Sequence, residues 1–315
     1  MPLSTSRLPP TVSLGPAPGA YLICTFLGLI SYGIALHQIY RYTRIHSSDP
    51  YIIKCYVVIL GVLDMFHTVL AVHLNYRHLV TDYFQPTNLS QPVWSLSVQP
   101  LVIGVILVVC QIFFAARVYL LSKKYRIIVA LVCILSLAIL GCSTAFTVKG
   151  FTVDDVNDLN HYASLQSAGF GATIAADVML TSVLILALHR SRTGFTQTDS
   201  KIDVLIAYAI STGLIPVIFA AVCFITAIAD PGNLLFGALD FVCTKIYVNS
   251  VLAALNLRQS LKADEGSGRD AGGMNLSVLQ RRSRVVNVVS SSGASTDAGS
   301  SVIDIKMGGE IRLGG

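Results

Sequence analysis

Three ionisable residues fall where an apolar chain has least use for them. Asp64, Asp177 and Lys245 each lie about ten to twelve residues inside a run of some twenty apolar residues. An ionised group at that depth in hydrocarbon costs at least about 2.5–3.5 kcal/mol, so each requires a partner or a task. At 1.5 Å per helical residue all three sit about 15–18 Å deep, near the midplane of a bilayer. His67 is one helical turn from Asp64, Asn249 is one turn from Lys245 and beside Ser250, and Gln111 adds a further amide. The expected grouping is a polar mid-membrane cluster of Asp64, His67, Gln111, Asp177, Lys245 and Asn249, with Asp240 nearer the outer end of the last run. Such a cluster either lines a cavity or switch between helices, or locks their packing. In the second case Lys245 pairs with a carboxylate at its own depth, Asp64 first and Asp177 as its rival.

Bond-making chemistry fits the set poorly. Asp64 and His67 have an i, i+3 spacing that suits two metal ligands on one helix face. A catalytic zinc needs three protein ligands around one point, however, and His37 and His73 count out near opposite membrane surfaces. A Schiff base on Lys245 calls for an acidic counter-ion, and the third apolar run has no Asp or Glu. Asp240, five residues from Lys245, stands about 140° away around the helix. The chain therefore reads as a non-enzyme, with no catalytic residue, no metal and no cofactor expected.

The elements that position these residues are membrane helices. Of 315 residues, 53% are hydrophobic and 12% charged, with a mean hydropathy of +0.67. A soluble domain carries about 25% charged residues, so the solvent for the outer face here is lipid. Seven stretches are long and apolar enough to span: 20–40, 52–74, 98–119, 127–146, 166–188, 204–228 and 235–257. The expected fold is all-α, a seven-transmembrane-helix bundle over 20–258. A short outer or luminal tail (1–19) precedes it, and a Gly-, Ser- and Asp-rich cytosolic tail (259–315), too polar to bury a core, follows it. Basic residues set the orientation. Twelve flank one set of connections, among them Arg41, Arg44, Arg117, Lys123, Lys124, Arg126, Arg190 and Arg258; Arg7, Arg77 and Lys149 alone flank the other. That bias predicts the N-terminus outside and the C-terminus in the cytosol.

Smaller signals fit this frame. Trp94, the single tryptophan, stands just before the third span with Tyr83 and Phe84, as an outer aromatic belt would. Asn88-Leu89-Ser90 is a glycosylation sequon in the longest outer loop, whereas Asn275-Leu276-Ser277 lies in the cytosolic tail and should stay bare. All seven cysteines fall inside apolar runs, where cysteine ordinarily acts as a small hydrophobe, so no loop disulfide is expected. Pro216, close to Gly213 in the sixth span, marks a hinge. The modest net charge of +5, gathered at helix ends, suits phospholipid headgroups and excludes nucleic acid as a partner.

A family resemblance rests on Arg192-Thr193-Gly194-Phe195, Thr198-Asp199, Tyr208 with Thr212-Gly213, Tyr247-Val248-Asn249-Ser250 and Leu255-Asn256-Leu257-Arg258. Leu63-Asp64 with His67, and Gln111-Ile112-Phe113 leading to Arg117-Val118-Tyr119, extend it over most of 20–258. On these residues the chain resembles a fungal, mainly basidiomycete, integral membrane family known only as a domain of unknown function. The resemblance implies a seven-helix membrane protein of fungal type and brings no activity, ligand or cofactor. The expected function is a receptor-like sensor of a small or lipidic ligand, signalling to a cytosolic effector from the plasma membrane or an endomembrane of the secretory pathway. The alternatives are a non-catalytic structural or scaffold membrane protein and, behind it, a transporter.

Overall fold

The computed structural model describes residues 17–45, 50–82, 93–121, 123–153, 156–191, 196–229 and 235–266. Asn88, Asn275, Tyr83, Phe84 and the tail residues 1–16 and 267–315 lie outside the described residues, while 17–19 and 259–266, expected in the tails, continue α1 and α7 as helix. The described chain is all-helical: α1 (Ala17–Ile45), α2 (Tyr51–Tyr76), α3 (Trp94–Leu121), α4 (Arg126–Thr152), α5 (Ala163–Arg190), α6 (Thr196–Ala229) and α7 (Leu235–Gly266). All seven are long and apolar enough to cross a membrane. The chain divides into two compact units at Leu261–Lys262; everything described below belongs to the first.

The helices run past the apolar windows at both ends because interfacial residues continue them. At 28 residues α3 and α5 reach about 42 Å, the full bilayer with its headgroup layers. Short irregular turns finish the ends. A π turn, Arg77–Thr81, extends α2 and closes where Asp82 N–H donates to Arg77 O at 3.0 Å and the Arg77 guanidinium pairs with the Asp82 carboxylate. Pro100 removes one donor near the start of α3, and the following Leu101 N–H goes across to Thr147 Oγ1 of α4 at 3.1 Å.

Sequence pattern decides which face meets lipid. On α2 the side chains of Val58, Val62, Met65, Val69 and Val72 are exposed, a stripe of alternating three- and four-residue steps. The opposite stripe, Val57, Leu60, Asp64, His67, Ala71 and Leu74, is buried. On α1, Ile23, Phe26, Ile30 and Ile34 form a matching outward stripe. Lipid is as apolar as leucine, so burial of greasy surface does not drive these helices together; close packing and polar contacts do. Small residues mark the crossings. A Cβ on Gly28 would stand 2.1 Å from the Phe241 ring, and one on Gly213 would stand 2.2 Å from Thr181 Oγ1. Only glycine admits α7 so near α1, and α5 so near α6.

α1 to α6 pack on their neighbours in sequence, with α3 also touching α5. α7 fills the middle: 78% of its central window is buried, against 22% for α1, α4 and α6. It is therefore the helix best placed to meet buried polar side chains from several of the others.

Candidate functional site

The predicted cluster divides into two groups on opposite sides of α7. The first joins α2 and α7 around Lys245. Its Nζ lies 2.5 Å from Asp64 Oδ1, 2.6 Å from Thr68 Oγ1 and 2.9 Å from the Asp64 main-chain oxygen. Three donors meet three acceptors, so the ammonium is fully satisfied. The Tyr32 and Phe241 rings each place their centroids 5.3 Å from the same nitrogen, adding cation–π attraction in a water-free setting. Lys245 and Asp64 are both sealed, at 0% and 1% exposure, so neither reaches a solute without the bundle opening.

His67 belongs to this group by position but not by bonding. Its ring packs on Phe241 at 4.8 Å, and neither nitrogen has a hydrogen-bond partner. Asn249 turns away from the carboxylates. Its Nδ2 donates to Ser31 O on α1 at 2.9 Å and to Lys245 O, and its Oδ1 accepts from Gln38 at 3.3 Å. Two turns on, Asn256 donates to Gln38 O at 3.1 Å. The two asparagines therefore fasten α7 to α1 rather than line a cavity.

The second group lies between α3, α4, α5 and α7. Tyr247 donates its hydroxyl proton to Asp177 Oδ2. Gln111 of α3 belongs to this side, and its Nε2 has no hydrogen-bond partner among the described residues. Its Oε1 accepts from Ser136 on α4 at 2.6 Å. Asp177 is thus no rival for Lys245; helix α7 separates the two carboxylates and gives each its own donor.

Beside Asp177 and Tyr247 a crevice opens between α5 and α6. Phe114, Leu184, Ala209, Thr212, Gly213 and Pro216 line it with them. Its interior leaves about 20 Å³ in which a water molecule can centre, room for a water or two. Pro216 lacks the N–H that the Thr212 carbonyl would otherwise receive four residues later, so α6 is weakest where it borders this space.

Sequence reasoning missed a third grouping. Cys223 of α6 and Asp240 and Cys243 of α7 are buried, with one ligand atom from each lying within 4.8 Å of the others. The angular argument that Asp240 faces away from Lys245 holds; what it faces is α6. Also missed was the hydrogen bond from Tyr21 on α1 to Gln99 on α3. Asp240 and Cys243 share one face of α7, but Cys223, like each partner of the Tyr21–Gln99 bond, comes from a separate helix and leaves no local signal.

Which part of the chain has known relatives follows from comparison with protein families. Residues 173–260 match DUF6534, a family of unknown function. No curated protein and no solved structure matches the chain. The DUF6534 segment holds most of α5 with all of the span residues of α6 and α7, so it supplies Asp177, Pro216, Tyr247 and Lys245. Asp64 and His67 of the Lys245 group, and Gln111 of the Asp177 group, lie outside the DUF6534 match.

Proposed function

We propose that this protein is a seven-helix membrane sensor whose ligand, small and mostly apolar with one polar group, enters the crevice between α3, α5, α6 and α7. The observation behind this reading is that the crevice, the Asp177–Tyr247 hydrogen bond and Pro216, where the hydrogen-bond ladder of α6 lacks a donor, meet at one place. A polar anchor at the end of an apolar slot is the usual design of a small-molecule site. As it stands the slot holds no more than water, whereas sites for drug-sized ligands run to about 300–1,000 Å³. Entry therefore requires α6 to swing outward about Pro216, and that movement is the signal. On the charge bias of the sequence, the far ends of these helices face a cytosolic effector and the N-terminus lies outside, in the plasma membrane or a secretory endomembrane.

A thermal-shift screen of small amphiphiles on detergent-purified protein tests this. A ligand at about 100 times its Kd stabilises the fold by about 2.7 kcal/mol. Ala209→Leu fills the slot and should abolish the shift, and Asp177→Asn should weaken it. Shifts of equal size in both variants and the wild type would refute the site.

The scaffold reading draws support from a different observation, the sealing of Lys245 and Asp64. That pair locks α2 to α7 and leaves the sensing role to the other side of α7.

A further inference from the structure

Cys223, Asp240 and Cys243 share nothing with the crevice except an edge, and their chemistry is different. Asp240 and Cys243 stand three residues apart on one face of α7, and Cys223 meets them from α6. Their three ligand atoms lie within 4.8 Å of one another. Tetrahedral zinc with Zn–S of about 2.3 Å and Zn–O of about 2.0–2.2 Å sets its ligands about 3.6–3.8 Å apart. The triad is therefore within about 1 Å of that geometry.

A second observation points the same way. Asp240 is 4% exposed, and its carboxylate accepts no hydrogen bond among the described residues. A buried carboxylate without a donor either holds its own proton or takes a cation, and two thiols beside it offer a cation its further ligands. Among the described residues the titratable neighbours of the triad are Tyr21 and Cys24 of α1, Asp177 of α5 and Tyr247 of α7, none of them a cation. Lys245, on the far face of α7, is already held by Asp64.

We propose that Cys223, Asp240 and Cys243 bind one thiophilic divalent cation, zinc in type, tying α6 to α7. Two sulfurs select a thiophilic ion, and the carboxylate favours zinc over monovalent copper. The proton balance suits a membrane interior. Two thiols and one carboxylate carry −1; on binding, two protons leave as one divalent ion enters, and the site remains at −1. Cys243 Sγ also contacts Pro216 O at 3.9 Å, so ligation exchanges that contact for a metal bond beside the break in α6. The triad lies about 9 Å along α6 from Ala229 and about 7.5–12 Å along α7 from Leu235. It does not depend on the ligand reading above.

The test uses full-length protein purified in detergent, reduced, stripped with chelator and titrated with zinc alone, with cobalt as the spectroscopic stand-in. One zinc per chain should survive desalting, and cobalt should show thiolate-to-metal charge transfer in the near ultraviolet. Cys223→Ser with Cys243→Ser should lose both signals. Asp240→Asn should weaken zinc at least 10–100-fold, the loss typical of even an outer-shell partner. Cys133→Ser, on an exposed residue, should change nothing. Wild-type protein gives an independent reading should a variant not fold. Zinc should slow maleimide labelling of Cys223 and Cys243 but not of the exposed Cys55 and Cys133. Zinc that does not survive desalting, or labelling of all four cysteines unaffected by it, would overturn the site.

Discussion

Replacing Lys245 by Met removes three hydrogen bonds and two cation–π contacts at one stroke and strands Asp64 in the bundle core. The stranded carboxylate is the larger part of the loss. Asp64 Oδ2 already has no hydrogen-bond partner, and the Thr68 hydroxyl donates to the Asp64 main-chain oxygen, so without Lys245 the carboxylate keeps no donor among the described residues. Breaking a sealed ion pair in this way costs about 3–5 kcal/mol. Asp64→Asn alone should cost a similar amount, because it leaves an ammonium uncompensated. The double variant leaves no buried charge and should recover most of the loss, giving a coupling energy of about 2–3 kcal/mol. The assay is reversible unfolding in mixed micelles of the four proteins of the cycle. Asp177→Asn combined with Lys245→Met is the control and should show no rescue, since Asp177 is held by Tyr247. Additive losses for Asp64 and Lys245, or rescue by Asp177→Asn, would refute the reasoning.

Other substitutions read other contacts. Tyr247→Phe should cost about 1–3 kcal/mol by leaving Asp177 without its donor, and Asp177→Asn less, since an amide oxygen still accepts; unfolding midpoints check both. His67→Leu should change stability by less than about 1.5 kcal/mol, because His67 makes no hydrogen bond and the volumes are close. Gly28→Ala should cost about 1–3 kcal/mol as its methyl meets Phe241, whereas Gly33→Ala, with nothing within 4 Å, should be neutral or mildly stabilising. A C-terminal reporter should resist protease added outside intact cells. Asn88→Gln should remove a glycan-dependent mobility shift that Asn275→Gln leaves in place.

The helices were legible because the bilayer imposes a length and a composition that a single sequence displays directly. Their ends were not, since interfacial residues such as Lys149 on α4 and Thr196 on α6 extend a helix without adding hydrophobicity. Depth counting put Asp64 and Lys245 at one level, and that level is where they meet. Depth says nothing of azimuth across helices, however. It therefore merged Asp177 with a pair on the other side of α7, and it placed Asn249 in a cluster when its amide serves α1. Of the Cys223–Asp240–Cys243 grouping the sequence marked only Asp240, as an ionisable residue in a span; the two cysteines read as ordinary core residues, and only the packing of α6 on α7 assembles the three.

The most direct measurement is an experimental structure of the protein with the amphiphile that stabilises it most. The account predicts ligand density in the crevice, a polar atom within hydrogen-bond distance of Asp177 or Tyr247, and α6 displaced outward about Pro216. Density elsewhere on the bundle, with the crevice closed and α6 unmoved, would contradict it.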